Sequence, residues 1–106
     1  MNSNYLQVFC SAENKLQADN ILTALLKQKL VAGGMISHGP ATFWWKGKLI
    51  DMDYYNVSAF SARKYQKAII KTVKTVSVEE VPMVWFIPFE GNNEFLRWIE
   101  HSLAEK

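Results

Sequence analysis

Residues 41–60, "ATFWWKGKLIDMDYYNVSAF", decide the fold. The stretch has the length and turn content of a β-hairpin, with Lys46–Lys48 or Leu49–Asp51 turning the chain between two arms rich in strand formers. Strand alternation is expected to place Phe43 and Trp45 with Tyr55, Val57 and Ala59 on one face. Thr42 and Trp44 then share the other face with Tyr54, Asn56, Ser58 and Phe60. Neither face is cleanly polar. A hairpin in a small domain packs one face on its own core, so the second aromatic face calls for another cover.

Working outward, "YLQVFC" (5–10) alternates and reads as a first strand. Ser11 or Asn14 can cap the helix that follows over 15–30, whose apolar residues Ala18, Ile21, Leu22, Leu25 and Leu26 keep helical spacing. "VAGGMIS" (31–37) is apolar at its start, and Gly33 and Gly34 mark a close backbone approach, bulge or bend. "SHGP" (37–40) is expected to break the pattern ahead of the hairpin. A second helix spans 62–75, with Tyr65, Ile69, Val73 and Val76 as its apolar stripe. "VPMVWFIP" (81–88) reads as a short buried strand between prolines, and a closing helix is capped by Asn92 or Asn93. The inner face of that helix carries Phe95, Trp98, Ile99 and Leu103. The order β-α-β-β-α-β plus a terminal helix predicts an α+β, ferredoxin-like fold, with both internal helices on one face of an antiparallel sheet.

With 106 residues, 49% of them hydrophobic, the chain (1–106) is expected to form one domain. A net charge of +2 demands neither nucleic acid nor an anionic membrane. Cys10 is the sole cysteine, which rules out an intrachain disulfide and fits a reducing compartment. The first residues show no secretory pattern and no apolar run reaches membrane-spanning length, so a cytoplasmic location is expected.

Catalytic motifs are missing from the sequence: it holds no G-x-S-x-G, no phosphate-binding loop and no H-E-x-x-H. Asp51 and Asp53 share a strand face, where a solvated hairpin explains them better than an acid–base pair. Cys10, His38 and His101 follow no metal-ligand spacing. Arg63, Lys64, Lys67, Lys71 and Lys74 have no acidic residue among them, and four of them fall at three- or four-residue steps as a basic stripe, read as a solvated face rather than a nucleic-acid surface. Trp44, Trp45, Trp85 and Trp98 are read as packing aromatics rather than a ligand cage.

Four pieces of the chain together resemble the CutA family of divalent-cation-tolerance proteins, from about Gln7 to Leu103. They are "VFCSAENKLQADNILTALLKQKLVAG" (8–33), "FWWKGKL" (43–49), "EVP" (80–82) and "NNEFLRWIEHSL" (92–103). The resemblance implies a homotrimer in which the hairpin reaches a neighbouring subunit, and this would cover the second aromatic face. It also implies a polar cleft between subunits, often credited with metal binding. The family's histidine and tyrosine fall on Ser77 and Glu79, and its glutamate after the proline on Met83. Its lysine–threonine pair falls on Phe60 and Ser61, and its second cysteine on Gly33, while Cys10 is kept. The candidates for a ligand-binding cleft are therefore Cys10, Trp44, Phe60, Ser77, Glu79 and Met83. Cys10 is the remaining metal candidate, with Met83 as its neighbour across the cleft, and no cofactor is expected. The function expected from the resemblance is non-catalytic binding or signalling, with a small ligand at subunit interfaces as in the PII-type trimers. The alternatives are a basic-helix nucleic-acid-binding module and a small hydrolase with an unrecognised site.

Overall fold

The computed structural model describes residues 4–103. Strand β1 (Tyr5–Ala12) leads to helix α1 (Lys15–Lys27), then to the hairpin strands β2 (Gly33–Trp45) and β3 (Lys48–Ala62). A 3-10 turn (Arg63–Tyr65) opens helix α2 (Gln66–Val76), followed by β4 (Val84–Pro88) and α3 (Asn93–Ser102). The sheet order is β2-β3-β1-β4 and every pairing is antiparallel, which is the ferredoxin-like arrangement.

Alternation builds the core directly. Leu6, Val8, Cys10 and Ala12 of β1 and Val57, Ala59 and Ser61 of β3 point to one face and are buried there. Ala18, Ile21 and Leu25 of α1, with Ile69 and Val73 of α2, cover that face. Each fully buried aliphatic side chain contributes roughly 1.5–3 kcal/mol. Asn14 is the α1 cap, its side-chain oxygen accepting from the Gln17 amide at 2.9 Å. The helix stops at Lys27, short of Leu30, because Lys29 turns into the left-handed region at φ 55°. Ser61 donates to the Leu30 carbonyl at 2.6 Å and ties the chain after α1 to β3.

The hairpin differs from the sequence reading in two ways. The pattern does not break at Ser37–Pro40: β2 runs through it, with Pro40 opposite Asp53. An edge strand tolerates a proline, because its missing N–H removes no central ladder bond. The turn itself is two residues, Lys46 (φ 51°) and Gly47 (φ 80°), a pair of left-handed residues that suits the twist of a hairpin. A two-residue turn pairs odd with even positions. Phe43 and Trp45 therefore share a face with Ile50, Met52, Tyr54, Asn56, Ser58 and Phe60, and Trp44 lies opposite Leu49 on the face of Tyr55, Val57 and Ala59. Phe43 meets Tyr54 edge-on at 5.5 Å. The expected partition of the returning arm is thus reversed.

β1 pairs with β3 only as far as Tyr55. Beyond that level β2 and β3 pair only with each other among the described strands, as a two-stranded ribbon of about 20 Å at ~3.3 Å per residue, and Lys46 at its tip reaches Glu80 at 3.2 Å. Trp44 is 71% and Leu49 58% exposed there.

The second face of the sheet is covered by α3 at one end only. Phe60 meets Phe95 edge-on at 5.0 Å, and the Trp98 ring lies over Gly33. Ile99 and Leu103 are buried as expected, but Trp98 is half exposed. Asn92 holds the cap position of α3, and its side chain bonds Glu94 rather than a backbone amide. β4 is not a buried strand. It is an edge strand whose Trp85 and Ile87 remain exposed on the uncovered part of the second face. There Trp85 stacks on Phe9 at 5.0 Å.

Candidate functional site

A polar cluster forms where β1, the ribbon and the segment before β4 meet. β1 alternation turns Cys10 into the core and Ser11 to the second face. The segment 77–83 folds over Ser11 and buries it to 3% exposure. The Ser11 amide donates to the Met83 carbonyl at 3.1 Å, and the Met83 amide donates to the Ser11 hydroxyl at 3.2 Å. The same hydroxyl donates to Oε1 of Glu79 at 3.2 Å, and the Glu79 amide donates to the Ser77 hydroxyl at 3.1 Å. Oε2 of Glu79 is shielded from solvent and, among the described residues, has no hydrogen-bond partner. The Tyr54 phenol completes the cluster. Burial first, then the adjoining Glu79 carboxylate, push its pKa well above the ordinary range, so it stays a neutral donor.

Of the six expected cleft residues, Ser77, Glu79 and the Met83 backbone meet here. Cys10, Trp44 and Phe60 do not. Trp44 sits at the far end of the ribbon, and Phe60 packs among Phe89 and Phe95 near α3. Cys10 lies on the opposite face of the sheet from Ser11 and Met83, fully buried. Within one subunit Cys10 and Met83 do not approach, because adjacent strand residues point to opposite faces. Ser11 and Tyr54 were missed by the sequence reading. The one available signal was parity, since a strand that buries Leu6, Val8 and Cys10 must turn Ser11 the other way.

Burial alone pushes the Cys10 thiol up to about 12. A raised thiol pKa favours the protonated form in the fold. Its contribution to stability is complete below the unfolded thiol's pKa and is lost as pH rises toward 12. Iodoacetamide at pH 8 is expected to leave Cys10 unmodified in the native protein and to label it rapidly in urea. The native thiolate is roughly a thousandfold scarcer for a pKa of about 12 against 9.0. Equal labelling rates in the two states would contradict this burial.

Two further polar pairs lie on the ribbon. His38 Nδ1 is 2.9 Å from Asp53 and its ring stacks on Tyr55 at 4.7 Å. Thr42 donates to Asp51 at 2.6 Å. Among the described residues, no three His, Cys, Asp or Glu side chains gather as metal ligands, and no helix is long and apolar enough to cross a membrane.

The CutA1 divalent ion tolerance protein family matches residues 6–102. A "Divalent-cation tolerance protein CutA" of Yersinia pestis (strain Pestoides F) is 27% identical over 104 residues, covering 95% of this chain and 87% of that protein. Among solved structures, a CutA of Archaeoglobus fulgidus, described as periplasmic, superposes with a TM-score of 0.90 at 25% identity, covering 94% of this chain and 99% of its own. The CutA1 of Shewanella sp. SIB1 gives 0.91 at 22% identity, covering 99% and 100%, a likeness that shows the fold. From residue 6 to residue 102, through a sheet, hairpin and closing helix shared with these structures, the chain belongs to the CutA1 divalent ion tolerance family.

Proposed function

We propose that this protein is a homotrimeric, non-catalytic binding protein whose ligand site is the Ser11–Tyr54–Glu79 cluster, completed at a subunit interface. The observation that carries the reading is Glu79, a carboxylate whose buried Oε2 accepts no direct hydrogen bond among the described residues and has the neutral Tyr54 phenol beside it. Leaving such a group unmet costs about 1–3 kcal/mol, and more when charged. A donor arriving from a small ligand or a neighbouring copy recovers that cost. The ribbon supports self-assembly, because a two-stranded hairpin with apolar side chains on both faces is marginal until covered. Asp51 and Asp53 support a non-catalytic role, since Thr42 and His38 already occupy them.

Two measurements test this. Light scattering on a sizing column is expected to give about three times the chain mass, as closed cyclic symmetry produces. Glu79→Leu is expected to destabilise the fold through loss of its internal Ser11 bond and to weaken assembly besides, so that light scattering at micromolar concentration falls below three chains. If the variant stays at three chains, the oxygen meets no donor at an interface and the site is wrongly placed.

The divalent cation in the family's name finds a poor donor set within this chain. Cys10 is buried with its thiol pushed up to about 12, and it faces away from Glu79. Zinc wants four N, S or O donors. Calorimetry with zinc at neutral pH on untagged protein is expected to show no submicromolar site. Such a site abolished by Cys10→Ser would overturn the expectation.

A further inference from the structure

Helices α1 and α2 cover the core face of the sheet, and the outer side of that layer carries charge of one sign. Lys67, Ile70, Lys71 and Lys74 are exposed, and each lies three or four positions from two of the others, so they share one side of α2. The other side of the helix buries Ile69, Thr72 and Val73. Thr72 donates to the Gln28 side chain at 3.2 Å, which sets the end of α1 beside the middle of α2. Lys27 and Lys29 flank that glutamine and are exposed as well. Among the described residues, none of these five lysines has a carboxylate within ion-pair distance. The acids lie elsewhere. Asp51 and Asp53 are on the ribbon, Glu79 and Glu80 precede β4, and Glu90, Glu94 and Glu100 are on or beside α3. The helix layer itself holds Asp19, with Glu13 just ahead of α1, and Lys15 already pairs with Asp19 at 2.9 Å. The net charge of +2 conceals this separation: one surface gathers five uncompensated cations around an exposed isoleucine.

We propose that this outer side of α1 and α2 is a docking surface for an anionic phospholipid bilayer. The lysine ammonium groups meet the charged headgroups, and Ile70, 37% exposed among them, enters the boundary between headgroups and acyl chains. Such bilayers attract clusters of roughly four to eight basic residues, and each lysine adds about fivefold in affinity. The composition of the surface favours lipid over nucleic acid. Its five cations are lysines, which act as point charges rather than bidentate forks. No aromatic residue stands between Lys67 and Lys74 or between Lys27 and Lys29 to stack a base. The exposed Trp44 and Trp85 belong to the ribbon and to the second face of the sheet. Neither the ligand site nor the assembly contact proposed above uses this helix layer.

Co-sedimentation of the full-length protein with vesicles tests the proposal. The probes are phosphatidylcholine alone and phosphatidylcholine with about one phosphatidylserine in three, at about 0.1 M salt, where the screening length is about 10 Å. Saturable binding is expected to the phosphatidylserine vesicles only, and about 1 M salt is expected to weaken it at least about tenfold. Lys71→Gln with Lys74→Gln is expected to weaken it at least about tenfold as well. Lys15→Gln with Arg97→Gln removes the same charge elsewhere and is expected to change it by about twofold or less. Ile70→Ser keeps every charge and is expected to weaken it about threefold or more. Far-UV circular dichroism checks that all three variants fold. No saturable binding to phosphatidylserine vesicles, equal binding to phosphatidylcholine alone, or equal losses in the two double variants would each overturn the proposal. Ile70→Ser bound unchanged would also overturn it, because charge alone would then account for the contact. So would duplex DNA or polyglutamate that displaced the protein from the vesicles at equal concentration of charge, by assigning the surface to a polyanion instead.

Discussion

In the proposed trimer, Trp44→Ser combined with Leu49→Ser is expected to reduce the assembly from about three chains to one while leaving the subunit folded. The two residues face each other across the ribbon, 71% and 58% exposed in the subunit, and neither belongs to its core. Removing them therefore opens no internal cavity, and the far-UV circular dichroism spectrum should keep its shape. In a trimer whose ribbon lies on a neighbour, the same side chains are the apolar area that association buries. Large aromatics dominate such contacts, and truncating one at the centre of an interface costs about 2 kcal/mol or more. Light scattering at micromolar concentration reads the outcome directly. A double variant that stays at three chains would show that the assembly is held elsewhere and that the ribbon is not its clasp. Strand alternation alone would place one of Trp44 and Trp45 in the subunit core. At 71% and 37% exposed, neither is in it.

Gly34→Val is expected to be the most damaging single substitution outside the buried apolar side chains. A Cβ at Gly34 would lie 2.8 Å from the Ser58 backbone oxygen, 2.8 Å from Leu22 Cδ1 and 3.2 Å from the Ala59 Cβ. Leu22 can rotate aside, but the Ser58 carbonyl belongs to the neighbouring strand and can move only with the β2–β3 ladder. Overpacking of this kind costs about 1–3 kcal/mol and occasionally more. A valine adds two further methyl groups to the clash, so urea unfolding should place the loss at or above the top of that range. Gly39→Ala is the matched control on the same strand, because nothing lies within 4 Å of its Cβ position. Its midpoint should stay close to wild type. If Gly34→Val and Gly39→Ala unfolded at the same urea concentration, the close approach at Gly34 would not exist in solution.

The sequence by itself determined the element order, and with it the ferredoxin-like class, because helical and strand periodicities are local properties. The buried sets Leu6, Val8 and Cys10 and Ile21, Leu25, Ile69 and Val73 follow from spacings of two and of three to four residues. Asn14 could be named as a cap candidate for the same reason, since the bond it accepts comes from Gln17, three positions away. The need for a cover on the second hairpin face was also legible, from aromatics on both parities. Only the tertiary structure decided which aromatics share a face. The left-handed backbone at Lys46 makes the turn two residues long, and one residue of turn length exchanges the faces of a whole arm. It also decided that β4 is an exposed edge, because sheet order is set by pairings between segments remote in the chain. The candidate site was legible least. Ser11, Tyr54 and Glu79 stand 43 and 25 residues apart along the chain, and no local pattern links them. They converge because β1 pairs with β3 on one side and the segment entering β4 bonds back to Ser11 on the other. That same geometry turns Cys10, one residue away, into the core, out of reach of the carboxylate beside its neighbour.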